Sequence, residues 1–262
     1  MHKSIQVIIV EEDSFAKNWM ALLLARDWRT QIIYETDSAK SAFHFVEGFA
    51  GRPDFILLDA DQSLTTISKI EQQQNSGIKT PGIILVGNSP TLEILKQATK
   101  FSSIRGYILK SEISYSLAWA VDFASAGQWV ATPGILDLAN EHRRMLPENH
   151  VILNGEKTFS PLTQHETTVA RMALIFSMER RDLADELNIT EEWSYGLVST
   201  LYKKLGLDEI LHGEVSPEAY LGKHPIMLER FNSICQVVRS SKKAKDMESL
   251  AFHLLTAPDL SY

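Results

Sequence analysis

Two short runs near the start of the chain, IQVIIV (Ile5–Val10) and FILLDA (Phe55–Ala60), are mostly apolar and lead into carboxylates. Continuous apolar runs of this length suit strands buried on both faces, and such strands belong to parallel sheets covered by helices. GIILVG and GYILK repeat the pattern, and QIIYE adds a further strand. Between them, FAKNWMALLLARDW places Phe15, Trp19, Leu22 and Leu23 at helical spacing. SAKSAFHFVEGF does the same with Ala39, Ala42, Phe43 and Val46. Strands alternating with helices predict an α/β fold with a doubly wound parallel sheet, whose ligand site lies beyond the carboxyl ends of the strands.

That rule selects Glu11, Glu12 and Asp13 after the first strand, Asp59 and Asp61 after the third, and Lys110 after the last. Converging carboxylates offer oxygen ligands to a hard divalent cation such as Mg2+, and a lysine among them can pair with an added anion. Strand ends are also exposed, and exposed residues are often charged. Spacing alone leaves both explanations open.

The stretches IIVEEDSF, PDFILLDAD, RGYILKSE and AGQWVATP resemble the receiver domain of bacterial response regulators over roughly residues 4–132. The resemblance implies a flavodoxin-like fold in which Asp59 accepts a phosphoryl group from a sensor histidine kinase. It also implies that Glu11, Glu12, Asp59 and the backbone carbonyl of Asp61 hold Mg2+, that Lys110 contacts the phosphoryl group, and that Tyr107 is the aromatic that rotates on activation. Two departures stand out. Glu12 replaces a usual aspartate, reaching one methylene further toward a cation that tolerates poor geometry badly. The fourth strand, which in that family ends in a phosphoryl-binding Ser or Thr, ends here in Val86 and Gly87, with Ser89 two residues further on.

The receiver pattern stops near Gly127–Pro133, and residues 133–160 read as a charged linker, with Asn154-Gly155 signalling a short hairpin. Residues 161–210 then read as an all-α helix-turn-helix domain. Thr163-x-x-Glu166 is a capping box, with Val169, Met172, Ala173 and Phe176 on one face. Leu183, Ala184 and Leu187 turn inward on a second helix. Thr190 is a natural N-cap for a third, which carries Ser194, Val198, Leu201, Tyr202 and Leu205 on one face and ends at Gly206. LTQHETTVARMA, DLADELNITEEWSYGLVSTLYKKLGL and their order resemble the LuxR-type (NarL/FixJ-like) output domain, with one extra residue between Phe176 and Leu183. The family's groove-facing positions fall on Tyr195, Gly196 and Ser199, with Lys203 and Lys204 at the edge. Residues 211–262 form an extension with helical faces Met227, Phe231, Ile234, Val238 and Met247, Leu250, Ala251, Leu254, and with a basic cluster at Arg239, Lys242, Lys243 and Lys245. Those helices are expected to cover the output domain or to build an oligomer interface.

Charge complicates the DNA reading. Net charge is −7, and within 161–210 five basic side chains face nine acidic ones. Base edges are read mainly by Arg, Lys, Asn or Gln and phosphates by cations, yet Glu191 and Glu192 precede the candidate recognition face. Gly196 costs on the order of 1 kcal/mol in a helix interior relative to alanine, which points to close backbone approach or to relaxed demand on the helix. The leading expectation is a DNA-binding transcription regulator with a degenerate phosphorylation switch, acting as a homodimer with DNA and a sensor histidine kinase or another regulatory protein as partners. The alternative is a pseudo-response regulator that grips a protein through Trp193 and Tyr195, since aromatics are enriched at interfaces. An enzyme is not expected: no nucleophile–base pair or glycine-rich phosphate loop is present, and the eight histidines are scattered. One cysteine, a first apolar run too short for a signal peptide, and the lack of any stretch near the roughly 18 apolar residues a membrane span needs point to the cytoplasm.

Overall fold

The computed structural model describes residues 4–49, 51–63, 66, 80–157, 161–240 and 245–261. The chain divides into two compact units, Met1–Glu156 with Pro258–Tyr262, and Lys157–Ala257.

In the first unit the predicted strands form as β1 (Ile5–Val10), β2 (Thr30–Thr36), β3 (Phe55–Asp59), β4 (Gly82–Gly87) and β5 (Ile104–Leu109). They pair in the order β2-β1-β3-β4-β5, all parallel. Helices α1 (Ser14–Arg26), α2 (Ala39–Gly48) and α3 (Leu92–Ala98) fall between them. The Asp13 carboxylate starts α1 by accepting from the Phe15 and Ala16 amides at 2.8 and 3.3 Å. Strand residues alternate between two cores. Ile8, Val10, Ile56, Leu58 and Leu85 pack with Ala42 and Phe43 of α2 and Leu95 of α3. Each fully buried Ile or Leu contributes about 1.5–3 kcal/mol of transfer free energy. The inward face of α1 differs from the expected one: Met20, Leu23 and Leu24 are buried, whereas Phe15 is 79% exposed and Leu22 lies at the surface.

The sheet does not stop at β5. After a single turn, α4 (Lys110–Ile113), and the buried helix α5 (Leu117–Ser125), the chain returns as β6 (Trp129–Ala131), α6 (Pro133–Glu141) and β7 (His150–Glu156). Both strands add in parallel beyond β5, and β8 (Pro258–Ser261) closes that edge antiparallel to β7. Trp129, Ile135, Ala139 and Ile152 join the α2/α3 core, so residues expected to link two domains extend the first one instead. The hairpin expected at Asn154-Gly155 is absent. Gly155 has the positive φ (+84°) that the dipeptide signals, but it sits at a register shift between Leu153 and Glu156 within β7. The antiparallel partner comes from far away in sequence, and the Asn154 side-chain amide donates across to the Ser261 hydroxyl, 107 positions on, at 3.0 Å. Glu156 is opposite Pro258, and the Lys157 amide donates to the Ala257 carbonyl at 3.0 Å, so the chain leaves the sheet and returns to it at one point.

The second unit is helical: α7 (Gln164–Ala170), a π turn (Arg171–Ile175), α8 (Arg180–Leu187), α9 (Glu191–Lys204), α10 (Leu207–His212), α11 (Glu218–Leu221), α12 (Pro225–Ser240) and α13 (Lys245–Leu255). The expected inward residues Val169, Ala173, Leu183, Ala184, Val198, Leu201 and Leu205 are buried. The extension covers the helix-turn-helix part, with α13 against the π turn and α12 against α10 and α13. Arg239 is no free cation: its guanidinium donates to the Ile210 and Leu211 carbonyls and caps α10. The rest of the predicted basic cluster, Lys242, Lys243 and the Lys245 side chain, lies outside the described residues. Among the described residues no helix is long and apolar enough to cross a membrane.

Gly106 explains how β6 reaches β5. A Cβ there would lie 2.5 Å from the Val130 carbonyl oxygen, so only glycine admits this approach. Gly106→Ala is expected to lower unfolding stability by about 1–3 kcal/mol, seen as a shifted denaturant midpoint, with faster amide exchange in β6 and β7 than in β1 and β3.

Candidate functional site

At the carboxyl ends of β1, β3 and β5 the sequence places Glu11, Asp59 and Lys110, and the fold brings all three together. The Lys110 ammonium lies 2.7 Å from Glu11 Oε2 and 3.7 Å from Asp59 Oδ2. Both carboxylates are buried. Glu11 Oε1 also accepts from the Asp13 amide at 3.1 Å, and Asp59 Oδ1 from the Asp61 amide at 2.9 Å. Burial pushes the Glu11 carboxyl above its usual range, while the hydrogen bond from Lys110 works against that rise.

The Glu12 and Asp61 side chains are exposed, outside the buried cluster of Glu11, Asp59 and Lys110. The Gln62 amide donates to Glu12 Oε1 at 3.1 Å and to the Asp37 carbonyl at 2.8 Å, while its carbonyl accepts from the Ala39 amide. Gln62 thus turns Glu12 toward α2. Among the described residues no three His, Cys, Asp or Glu side chains form a set that could hold a metal ion. As placed, the residues do not fit Mg2+: the ammonium occupies the space between the two buried carboxylates, and Asp13 is committed to capping α1.

Tyr107 is buried and points inward. Its hydroxyl donates to the Ser89 carbonyl at 3.0 Å and accepts from the Thr91 amide at 3.2 Å. Burial pushes the phenol above its ordinary value. A Cβ at Gly87 would lie 3.1 Å from Tyr107 Cε2 and 3.3 Å from its hydroxyl oxygen. A Ser or Thr at the end of β4 would therefore crowd the ring, which would have to give by a few tenths of an ångström. The Ser89 side chain is exposed, and its backbone carbonyl is what engages the tyrosine.

Sequence reasoning missed the groups that fix the Lys110 segment. The Leu109 amide donates to the Thr132 hydroxyl at 3.1 Å, and the Gly134 amide donates to the Glu112 carboxylate at 3.0 Å. Thr132-Pro133 is a readable helix start, a polar residue ahead of proline in the first turn, and it marks the position.

In the second unit the capping box forms as expected: the Thr163 amide donates to Glu166 at 2.9 Å, and the Glu166 amide to the Thr163 hydroxyl at 3.2 Å. The Thr190 hydroxyl caps α9. Buried Ser194 donates to the Arg180 and Glu191 carbonyls, fixing α9 against the start of α8. Outward from α9 stand Trp193, 70% exposed, and Tyr195, 58% exposed, with Gly196, Ser199 and Lys203 also at the surface. Lys204 is held by Glu166 at 2.6 Å. Arg180 pairs with Glu248 of α13 at 3.1 Å, and its guanidinium carbon lies 6.0 Å from the centre of the Tyr195 ring. Lys204, expected at the groove edge, and Arg180 are thus both engaged within the unit.

No protein-family model matches the chain, and no curated protein matches it. Several solved structures are similar. The Salmonella typhimurium RcsB response regulator, described in terms of conformational dynamism for DNA interaction, has 16% identity and a TM-score of 0.45 over 79% of this chain and 93% of that one. A structure of two RcsB dimers bound to two parallel DNAs has 14% identity and a TM-score of 0.47, covering 76% and 90%. Response regulator ChrA of a heme-sensing two-component system has 17% identity and a TM-score of 0.39, covering 78% and 90%. Likeness this distant carries no argument about function, which rests on the geometry above.

The Glu166–Lys204 pair has a pH signature. Lys204 and the Thr163 amide lower the Glu166 carboxyl from 4.5 to about 2. A carboxyl lowered on folding contributes stability that is present above its unfolded value and is lost as pH falls through the folded one. The second unit is therefore expected to lose stability between pH 4.5 and 2, and Glu166→Gln should flatten that limb in thermal melts across the interval.

Proposed function

We propose that this chain is a receiver-type regulator acting in transcription control, with its helix-turn-helix unit as the output that engages DNA, and with Asp59 no longer an efficient phosphoryl switch. The observation that supports it most is the pairing, in one chain, of a sheet in the order β2-β1-β3-β4-β5 ending on Glu11, Asp59 and Lys110 with a capped helix-turn-helix. The loss of switching is supported by Gly87 under Tyr107 and by the position of Glu12. This reading carries DNA, a second copy of the chain, and a sensor kinase or another regulatory protein as partners in the cytoplasm.

On this reading the DNA-facing groups are Tyr195 and Ser199 as hydrogen-bonding side chains, Gly196 as the point of closest approach, and Lys203 with Arg181 as phosphate contacts. Neither cation has an ion-pair partner among the described residues. A second reading, protein contact through α9, is favoured by one observation: Arg180 and Lys204 are tied to acids while Trp193 and Tyr195 stand exposed.

Two measurements test the proposal. Incubated with a small phosphodonor in magnesium, the protein should show little or no added phosphoryl mass; rapid stoichiometric labelling that Asp59→Asn abolishes would restore the switch. Binding to genomic DNA fragments should be weak and fall with salt with a slope of roughly −2 in log–log form, as two phosphate contacts give. No binding at low salt would remove DNA as the output partner and leave the second reading.

A further inference from the structure

Gly196 sits in the middle of a regular 14-residue helix where glycine brings no benefit to the fold. Its φ is not positive, and a Cβ built there meets no atom within 4 Å. Alanine would fit and would favour the helix. The reason for glycine is therefore not found inside the unit, and it points to something outside that comes close to the α9 backbone. Around this notch lie Trp193, one turn earlier, and Tyr195 beside it, both largely exposed.

Charge says what that visitor is. Glu191 and Glu192 open the same helix, both exposed and neither with an ion-pair partner among the described residues. Polyphosphate would meet two carboxylates there, whereas a cation would be attracted. The aromatic pair narrows the choice, because guanidinium groups stack on aromatic faces while remaining paired to carboxylates. The unit already contains such an arrangement: Arg180 lies over the Tyr195 ring while it pairs with Glu248.

We infer that the outer face of α9 binds an arginine-bearing segment of a partner protein, with a guanidinium on Trp193, the carboxylate of Glu192 on the same side of the helix as Gly196, that of Glu191 adding attraction from round the helix, and the segment's backbone closest at Gly196. The inference rests on the second reading of the output unit, protein contact, and names its chemistry. A segment seated there and a DNA groove exclude one another on this helix.

The test titrates the full-length chain into a fluorescein-labelled peptide of alternating arginine and glycine, its lysine counterpart, and a labelled DNA duplex, at physiological salt. The arginine peptide should bind about threefold or more tighter than the lysine peptide. Trp193→Ala, and separately Glu191→Gln with Glu192→Gln, should each weaken it by about tenfold. Gly196→Ala should raise the melting temperature by about 4 °C while weakening the peptide, a combination that damage to the fold cannot produce. Equal affinity for the two peptides, with both lost in Trp193→Ala, would overturn the guanidinium assignment while the protein-contact reading stood. Peptide binding indifferent to Trp193 and to the two glutamates would reduce the effect to general attraction and overturn the inference. Duplex binding abolished by Trp193→Ala, with no peptide binding, would overturn both.

Discussion

Two carboxylates end neighbouring parallel strands in the interior of the first unit, and the Lys110 ammonium between them is what lets them stay there. A buried carboxylate stripped of its counter-ion costs several kcal/mol, so Glu11 and Asp59 depend on Lys110 being delivered to within ion-pair distance. The delivery is structural. Lys110 follows β5 directly, and the turn it opens is held by the Thr132 hydroxyl on the Leu109 amide and by the Gly134 amide on Glu112. Those contacts come from the strand and helix added beyond β5, whose close approach Gly106 permits. The extended sheet and the charged cluster are thus one arrangement.

The central sheet was legible because each of its strands is a buried apolar run, a signal needing no partner to be read. The cluster at its carboxyl end was legible for a related reason: the position of a strand end fixes where Glu11, Asp59 and Lys110 lie without knowledge of their contacts. What failed were features decided by distant residues. WVA is too short to announce a strand and VILN was legible only as one side of a local hairpin; both join this sheet because β5 offers an open edge and Trp129 and Ile152 find a core. Asn154-Gly155 correctly signalled positive φ, but the turn it implied is replaced by a partner strand from the far end of the chain. Gln62, which redirects Glu12, carried no sequence signal because its contacts come from two segments far from it in the chain, Glu12 and Asp37–Ala39.

The second unit shows how formal charge misleads when pairing is ignored. Counted along the sequence, Lys204 and Arg180 are cations near a candidate recognition helix. In the folded unit each has an acid: Glu166, which also closes the capping box, and Glu248, supplied by the extension. Glu166 is therefore bound at once to the start of α7 and to the end of α9, and Ser194 ties the start of α9 to α8. The internal bonds that hold the helix-turn-helix in shape engage two of its cations, which leaves the exposed face of α9 with aromatic and acidic side chains beside Lys203.

Tyr107 and Gly87 are packed as a pair at the end of β4. With the phenol bonded to both the Ser89 carbonyl and the Thr91 amide, the ring lies against the end of β4, and any side chain at 87 would press on it. A side chain there would require the ring or Ala60 to give by a few tenths of an ångström. Glycine removes that crowding, and the inward tyrosine is secured by its two backbone hydrogen bonds against a strand end that carries no side chain.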